Sequence, residues 1–373
     1  MLKFLKEIRN FIRGYTMGNI FNLFASKNLK KYWINSNKKN FDDDLVSSME
    51  KFFSTDDYKK TSTNHKYAII RILKIIENYG NKESIRDFQF NNPNFHSDFS
   101  SQTISELVKE DYDKEHFEDL FKLYPSLKIE NSLKLNLINN LIYNKLKDRK
   151  IFELITKLSD ETFIGHNQIF NEINGLKITQ EKLRTLLEYE NIEKLIKNEK
   201  SEIIEIGSGN GRMCECIMSC NKYVNKYILA DIPPALPSAY KRLKKTFKNK
   251  KIFYAIHIKD KNELKKIIQD NEIILIFPNQ IKLINKKFDL FIAIDCLHEM
   301  KKNTIKEYIN IASVISNKIY FKVHEYAHVP FSTDRLSVHN DIDYSIKPEW
   351  KLLFKKKSFF PSTDYEISYE IKK

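Results

Sequence analysis

Glycine is scarce in this chain, with eight in 373 residues, yet Gly207, Gly209 and Gly211 fall within five positions. Glycine permits positive φ and close approach of another group, so a concentration in a glycine-poor chain marks a place where backbone geometry matters. Long apolar runs are missing too. No stretch reaches the roughly 18 consecutive apolar residues that a spanning helix needs. The start has no uninterrupted apolar segment followed by a small-residue cleavage site, so no signal peptide is expected. Cysteine is sparse: Cys214, Cys216 and Cys220 are crowded together and Cys296 stands alone. That spacing is not a secreted disulfide framework, and reduced thiols in a cytoplasmic protein are expected. Cys216 and Cys220 share a helical face but Cys214 does not, and no second C-x-x-C pair exists, so buried thiols are expected rather than a metal cluster.

Negative charge is the minority. The net charge is +14, and residues 1–40 hold nine Lys/Arg against one acid, Glu7. Phe4, Ile8, Phe11, Ile12 and Tyr15 recur at helical spacing, with Lys3, Lys6 and Arg13 largely off that stripe. Such a helix can lie on an anionic membrane surface through residues 1–15, or dock its stripe on the rest of the protein. The charge also permits nucleic acid, but no RRM, KH or zinc-finger signature accompanies it, so nucleic acid is disfavoured.

Residues 1–175 read as mainly helical, with helical periodicity over 65–80 and 131–158, Gly80 suited to a helix C-terminus and a turn-rich loop at 91–103. From 176 onward the pattern changes. Thr179 suits a helix N-cap, with the helix expected through residue 198. Apolar runs at Ile203–Ile206, Tyr227–Ala230, Ile273–Phe277, Leu290–Ile294 and Ile319–Val323 then alternate with helical stretches at Met213–Ser219, Leu236–Phe247 and Thr304–Ile315. Near-continuous apolar strands alternating with helices predict a doubly wound α/β domain with a mostly parallel sheet. Residues 252–258 are a further candidate strand. The runs 350–360 and 364–373, with no helix between them, predict an antiparallel hairpin.

The glycines sit where a strand would pass into a helix, whose N-terminal amides and positive dipole end then face a ligand. A dinucleotide turn wants G-x-G-x-x-G, and Arg212 occupies the third glycine position here. What stands instead is Glu205-x-Gly207-x-Gly209-x-Gly211, with an acid inside the strand that suits an ammonium group better than a pyrophosphate. A tight turn alone would be the simplest alternative.

Glu205-Ile-Gly207-Ser208-Gly209-Asn-Gly211, followed about 20 residues later by Asp231 in YILADIPP, resembles the first two motifs of the class I S-adenosylmethionine-dependent methyltransferases. The resemblance implies a Rossmann-like class I methyltransferase fold, a mostly parallel seven-stranded sheet with a C-terminal antiparallel hairpin, preceded by a mainly helical region. It implies S-adenosyl-L-methionine as cofactor, contacted by Glu205, Gly207, Ser208, Gly209 and Gly211, with Asp231 on the ribose and Ile232 beside it. It also implies Phe277 and Asn279 at the adenine; a buried aromatic and a turn residue are the alternative reading there. Over about residues 160–330, EIGSGNGR, YILADIPPAL, FPNQIKLI, FDLFIAIDCLHEM and IYFKVHE are similar to a sugar O-methyltransferase family of bacterial surface-polysaccharide gene clusters. Ser208 and Asn210 depart from its glycine loop. This narrower resemblance implies a carbohydrate acceptor, a nucleotide- or lipid-linked sugar or glycan of capsule or lipopolysaccharide, and a cytoplasmic site, peripheral to the inner membrane if residues 1–15 bind there.

A sugar hydroxyl is a poor nucleophile until a base accepts its proton or a metal lowers its pKa. Loops beyond the carboxyl ends of the strands should hold that group. His298 is the first candidate base and His324 the second, with Glu299 beside them. Asp295 can contact the cofactor, or Asp295, Glu299 and Glu325 can hold Mg²⁺. In the loop-like stretch Tyr326–His339, the candidates for acceptor contact are Asp334, Arg335 and His339, with Glu325 just before it. The rivals are an RNA or other small-molecule methyltransferase and a non-enzymatic binding module.

Overall fold

The structure, a computed structural model, describes most of residues 25–73, 140–158 and 170–372. The basic start at 1–15, Gly80 and the stretch 91–103 lie outside the described residues. Of the candidate helix 65–80, the described positions 66, 69, 70 and 73 are helical. Residues 140 and 142–146 are helical as expected, but Lys150–Lys157 forms 3-10 turns, with Ile151 and Ile155 turned inward.

Upstream of the sheet, helical residues 25–35 and helix α1 (Asp43–Phe53) are followed by a short hairpin, β1 (Phe170–Ile173) and β2 (Leu176–Thr179). The region up to 175 reads as mainly helical, so this hairpin is a difference. Its signal is Asn174-Gly175 between paired Ile173 and Leu176, with Gly175 at φ +75°, because two-residue hairpin turns need positive φ. Helix α2 (Gln180–Glu193) then begins where expected, the Thr179 side chain accepting the Lys182 amide at 3.2 Å.

The remaining elements alternate: β3 (Ser201–Ile206), α3 (Arg212–Cys220), β4 (Val224–Ala230), α4 (Ala235–Thr246), β5 (Ile252–Tyr254), α5 (Lys261–Asp270), β6 (Ile273–Ile276), β7 (Leu290–Ile294), α6 (Lys302–Ile315) and β8 (Lys318–His324). A small antiparallel pair follows, β9 (Tyr326–His328) and β10 (Arg335–Ser337), then β11 (Lys351–Lys357) and β12 (Asp364–Glu370). The main sheet has eight strands in the order β11-β12-β8-β7-β3-β4-β6-β5. It is one strand wider than seven because the short β5 pairs in parallel with β6 at the edge. All are parallel except β12, which is antiparallel to both β8 and β11 and forms the terminal hairpin with β11. The fold is the Rossmann-like α/β class.

Side chains alternate between the two faces of the sheet, and each face has its own core. Ile203, Tyr227, Leu275 and Ile292 pack with Leu183, Leu187, Met213, Ile217, Leu236 and Leu243 of α2, α3 and α4. Ile204, Ile228, Ile274 and Phe291 pack with Leu264, Ile268, Ile305 and Ile309 of α5 and α6. Burial on both faces is what makes these strands read as unbroken apolar runs. The upstream residues Trp33, Leu45, Phe52, Ile142 and Ile155 join the first of these cores.

Candidate active site

β3 ends at Ile206 and the chain turns through three left-handed glycines, Gly207 (φ +64°), Gly209 (φ +55°) and Gly211 (φ +77°). The requirement at Gly207 is doubly strict, since a Cβ there would stand 2.4 Å from the Cβ of Cys296. At Gly209 the space is open, and its amide donates to Asp231 Oδ2 at 2.6 Å. Asp231 Oδ1 accepts the Ile232 amide at 2.7 Å. The acid after β4 is thus fixed against the turn after β3, while the Ile232 side chain packs half-buried on the α2-side core. Gly211 is the N-cap of α3, whose first residue is Arg212.

Ionisable side chains gather on the α2 face at the carboxyl end of the sheet. Glu205 is buried and accepts a 2.8 Å hydrogen bond from Tyr227. Burial pushes its carboxyl up to about 8, the tyrosine bond and Arg212 offsetting only part of that. Glu188 of α2, fully buried, accepts from Arg212 Nη1 at 2.5 Å, Lys322 Nζ at 2.9 Å and Arg184 Nε at 3.2 Å. Burial alone would raise it, but Arg212 and Lys322 outweigh that and hold its carboxyl at about 2. Asp295, directly after β7, takes φ +56°, uncommon for a residue with a side chain. Its Oδ2 is paired with Arg184 and lies 3.9 Å from Arg212 Nη2. Burial works against its charge, yet Arg184 and Lys322 hold its carboxyl below the ordinary range.

The two candidate bases meet. The rings of His298 and His324 stack at 3.8 Å between centroids and 30° between planes. His298 lies buried on the 3-10 turn Leu297–Glu299, and burial together with His324 lowers its pKa. His324, at the end of β8, has Nδ1 2.6 Å from Asp364 Oδ1. The antiparallel register of β12 creates this contact by placing Asp364 directly opposite His324. Burial would raise the Asp364 carboxyl, but the His324 bond and Lys322 bring it to about 2. Since an ionised carboxylate only accepts, His324 donates from Nδ1, and in the neutral ring Nε2 is then the acceptor.

Other expected positions fall elsewhere. Phe277 is fully buried within the α2-side core, as in the alternative reading of a buried aromatic. The backbone N–H of Asn279 donates to Asp57 Oδ2 at 3.3 Å, tying the upstream region to the turn after β6. Glu325 is held by His339 Nε2 at 2.9 Å and Lys357 at 3.6 Å. Asp334 accepts the first amide of α6, from Lys302, at 3.1 Å. Arg335 is exposed on β10. Glu299 is half-buried beside His298. Among the described residues no group of His, Cys, Asp or Glu is arranged to hold a metal ion. Asp295, Glu299 and Glu325 do not form the expected Mg²⁺ set, because arginines take Asp295 while His339 and Lys357 take Glu325. The four cysteines are free thiols, and Cys214, Cys216 and Cys296 are buried.

Sequence reasoning missed Arg184, Glu188, Arg212, Lys322 and Asp364 as members of this site. Only Lys322 left a signal, a charge inside the otherwise apolar run IYFKVH; Arg184 and Glu188 sit four apart on a helix rich in charged residues, where one more charge reads as solvated surface. Eight buried side-chain atoms have no hydrogen-bond partner among the described residues. Five of them, Ser208 Oγ, Asn279 Oδ1, Asp295 Oδ1, His298 Nδ1 and Asp364 Oδ2, belong to this carboxyl edge. Buried polar atoms are ordinarily paired, so this clustering fits a polar ligand at the edge. With Glu205, the glycine turn and Asp231, the donor set fits a cationic, ribose-bearing molecule better than a dinucleotide.

No family model matches the chain, and no curated protein matches it. Several solved structures align with part of it. A Thermoplasma acidophilum protein aligns at 11% identity and TM-score 0.37, over 59% of this chain and 97% of its own. An S-adenosylmethionine-dependent methyltransferase of Clostridium acetobutylicum aligns at 11% identity and TM-score 0.35, over 51% of this chain and 91% of its own. Magnesium protoporphyrin IX methyltransferase of Synechocystis PCC 6803, with S-adenosylhomocysteine bound, aligns at 8% identity and TM-score 0.36, over 62% of this chain and 97% of its own. The fold class of the present chain rests on its own strand order and register.

Proposed function

We propose that this chain is an S-adenosylmethionine-dependent O-methyltransferase acting on a sugar hydroxyl of a bacterial surface glycan or its precursor. The observation that carries the reading is the set of buried polar atoms left without a hydrogen bond around a left-handed glycine turn bonded to Asp231. When bound, S-adenosylmethionine supplies an electrophilic methyl carbon on a sulfonium. Gly207, Ser208, Gly209 and Gly211 line the donor, Asp231 and the Ile232 backbone face its ribose, and Glu205 and Asp295 face its cationic end. His324 is the general base. Asp364 holds the proton on Nδ1, so Nε2 takes the proton of the acceptor hydroxyl. His298 stays neutral against it and offers Nδ1 to the acceptor.

The acceptor side is the β9–β10 pair. β9 packs on the turn that carries His298, and a cavity of about 530 Å³ there is lined by Tyr326, His328, Arg335, Ser337 and Asp343 among others. An exposed tyrosine face beside hydroxyl, guanidinium and carboxylate groups suits the apolar face and hydroxyls of a sugar. Glu325, Asp334 and His339 brace this rim, Glu299 lies beside it, and the donor-binding unit is residues 176–373. The enzyme would work on the cytoplasmic side, with residues 1–15 at the inner leaflet.

Titration calorimetry with S-adenosylmethionine, S-adenosylhomocysteine and NAD tests the donor. Saturable binding of the first two and none of NAD is expected; no binding of either adenosyl compound overturns the reading. Mass spectrometry of surface glycans from cells with and without the protein tests the acceptor, with loss of a methyl group expected. Unchanged glycans together with under-methylated RNA would move the acceptor to RNA.

A further inference from the structure

The β9–β10 ribbon has two unlike faces. Ala327 and Leu336 stand opposite each other and pack on the α5–α6-side core. Tyr326 opposite Ser337, and His328 opposite Arg335, share the other face, because residues directly across an antiparallel pair and two apart along a strand point the same way. Tyr326, His328 and Arg335 are exposed there, over the cavity of about 530 Å³. The charges around this face do not cancel. Asp343, the acid of the cavity lining, is held by Lys302 Nζ at 2.6 Å and by the Ser337 N–H at 3.0 Å. Asp334, next to Arg335 in the chain, accepts the Lys302 N–H instead, and Glu325 is taken by His339 and Lys357. Among the described residues the side chains of Arg335 and His328 have no hydrogen bond or ion pair. A guanidinium carries only donors, and an imidazole keeps at least one N–H in either protonation state. Two donor groups therefore stand side by side at the cavity while the neighbouring acids are already matched.

Resting on the acceptor reading above, we propose that the acceptor sugar carries an oxyanion, a carboxylate or a phosphate ester, and that Arg335 and His328 bind it. The planar fork of Arg335 gives two parallel N–H bonds to either oxyanion, and the His328 ring adds another donor. The ribbon also sets the order of contacts. β8 ends at His324 and β9 begins at Tyr326. The reacting hydroxyl therefore lies at the His324 end, the sugar ring lies on Tyr326, and the anion lies two positions further along β9, about 7 Å on. A neutral sugar leaves both donors to water, and a cationic amino sugar is repelled. The contact does not change as the methyl group transfers, so it lowers KM rather than raising kcat.

Saturation-transfer NMR titrations of the full-length protein, with S-adenosylhomocysteine filling the donor site, test this with methyl glucoside, methyl glucuronide and uridine diphosphate glucose. The neutral glucoside should bind about tenfold more weakly than an anionic probe, the worth of a charge-assisted bond pair at an exposed site. Whether the glucuronide or the diphosphate holds the advantage identifies the anion as carboxylate or phosphate. Arg335→Gln should erase the advantage and leave glucoside binding as it was, and Arg335→Lys should keep part of it. Lys265→Gln, which removes the same charge from an exposed position of α5, should change nothing. That variant separates the subsite from the general attraction of a chain of net charge +14 for anions. Equal binding of the three probes, an advantage that survives Arg335→Gln, or one lost equally in Lys265→Gln overturns the anion subsite and leaves the carbohydrate acceptor standing. Absence of a ring-proton signal from every probe overturns both.

Discussion

The two faces of the sheet are built from the same strands and differ completely at their carboxyl end. On the α5–α6 face, Ile206, Ala230, Ala293, Phe321, Val323 and Ile367 continue the apolar core to the edge. On the α2 face, the alternate positions are Glu205, Lys322, His324, Asp364 and Glu366. A parallel strand buried on both faces has no structural need of a charge, and burying one is costly unless it is paired. The chain meets that cost with a network in which Glu188 and Asp364 face Lys322 and two arginines. One face therefore stabilises the fold, and the other holds charges in fixed places at the edge where a ligand would sit.

The contrast can be broken most severely at Lys322. Lys322→Met keeps the volume but leaves Glu188 and Asp364 short of a cation, and should lower stability by about 3–5 kcal/mol, read from urea unfolding. Asp364→Asn comes next. It should reduce turnover on the acceptor by about 10²–10⁴-fold while donor affinity is kept, because the His324 tautomer is no longer fixed. Nitrogen NMR of the imidazole should show the proton leaving Nδ1 in part; an unchanged tautomer would refute the dyad.

Glu205 gives the pH test. Its folded pKa of about 8 lies above the ordinary 4.5, so the folded state holds a proton that the unfolded chain releases. The contribution is fully present below about pH 4.5 and is lost as pH rises towards 8, on the order of a few kcal/mol. Glu205→Gln should flatten that decline in thermal melts and raise the melting temperature at pH 8, while weakening donor binding. The smallest effect belongs to the apolar face. Ile204→Val should cost about 1 kcal/mol and leave donor affinity unchanged; a change in affinity would deny that the faces are functionally separate.

Five parallel strands, the helices α2, α3, α4 and α6 and the terminal hairpin were legible because apolar periodicity is local, whereas α5, with only Leu264 and Ile268 buried, was not among the expected helices. The β1–β2 hairpin was legible too, in Asn174-Gly175, but lay inside a stretch that reads as helical. The glycine turn and Asp231 were legible because left-handed backbone and a strand-end acid leave a trace in residue type. The stacking of His298 on His324 was not, since the two lie 26 positions apart and meet only because β7 and β8 are neighbours. Nor was Phe277 legible as core, because an apolar residue at a strand end reads the same whether it is covered by ligand or by protein.

By itself, the sequence determined the order of strands and helices, the place of the tight turn and the acids at two strand ends, because propensity and backbone sterics act over a few residues. Only the tertiary structure decided which charges share a buried face, that Asp364 stands opposite His324, and that α2 brings Arg184 to Asp295. Those pairings depend on strand order, antiparallel register and helix packing, and their energies come from burial that no local stretch of sequence specifies.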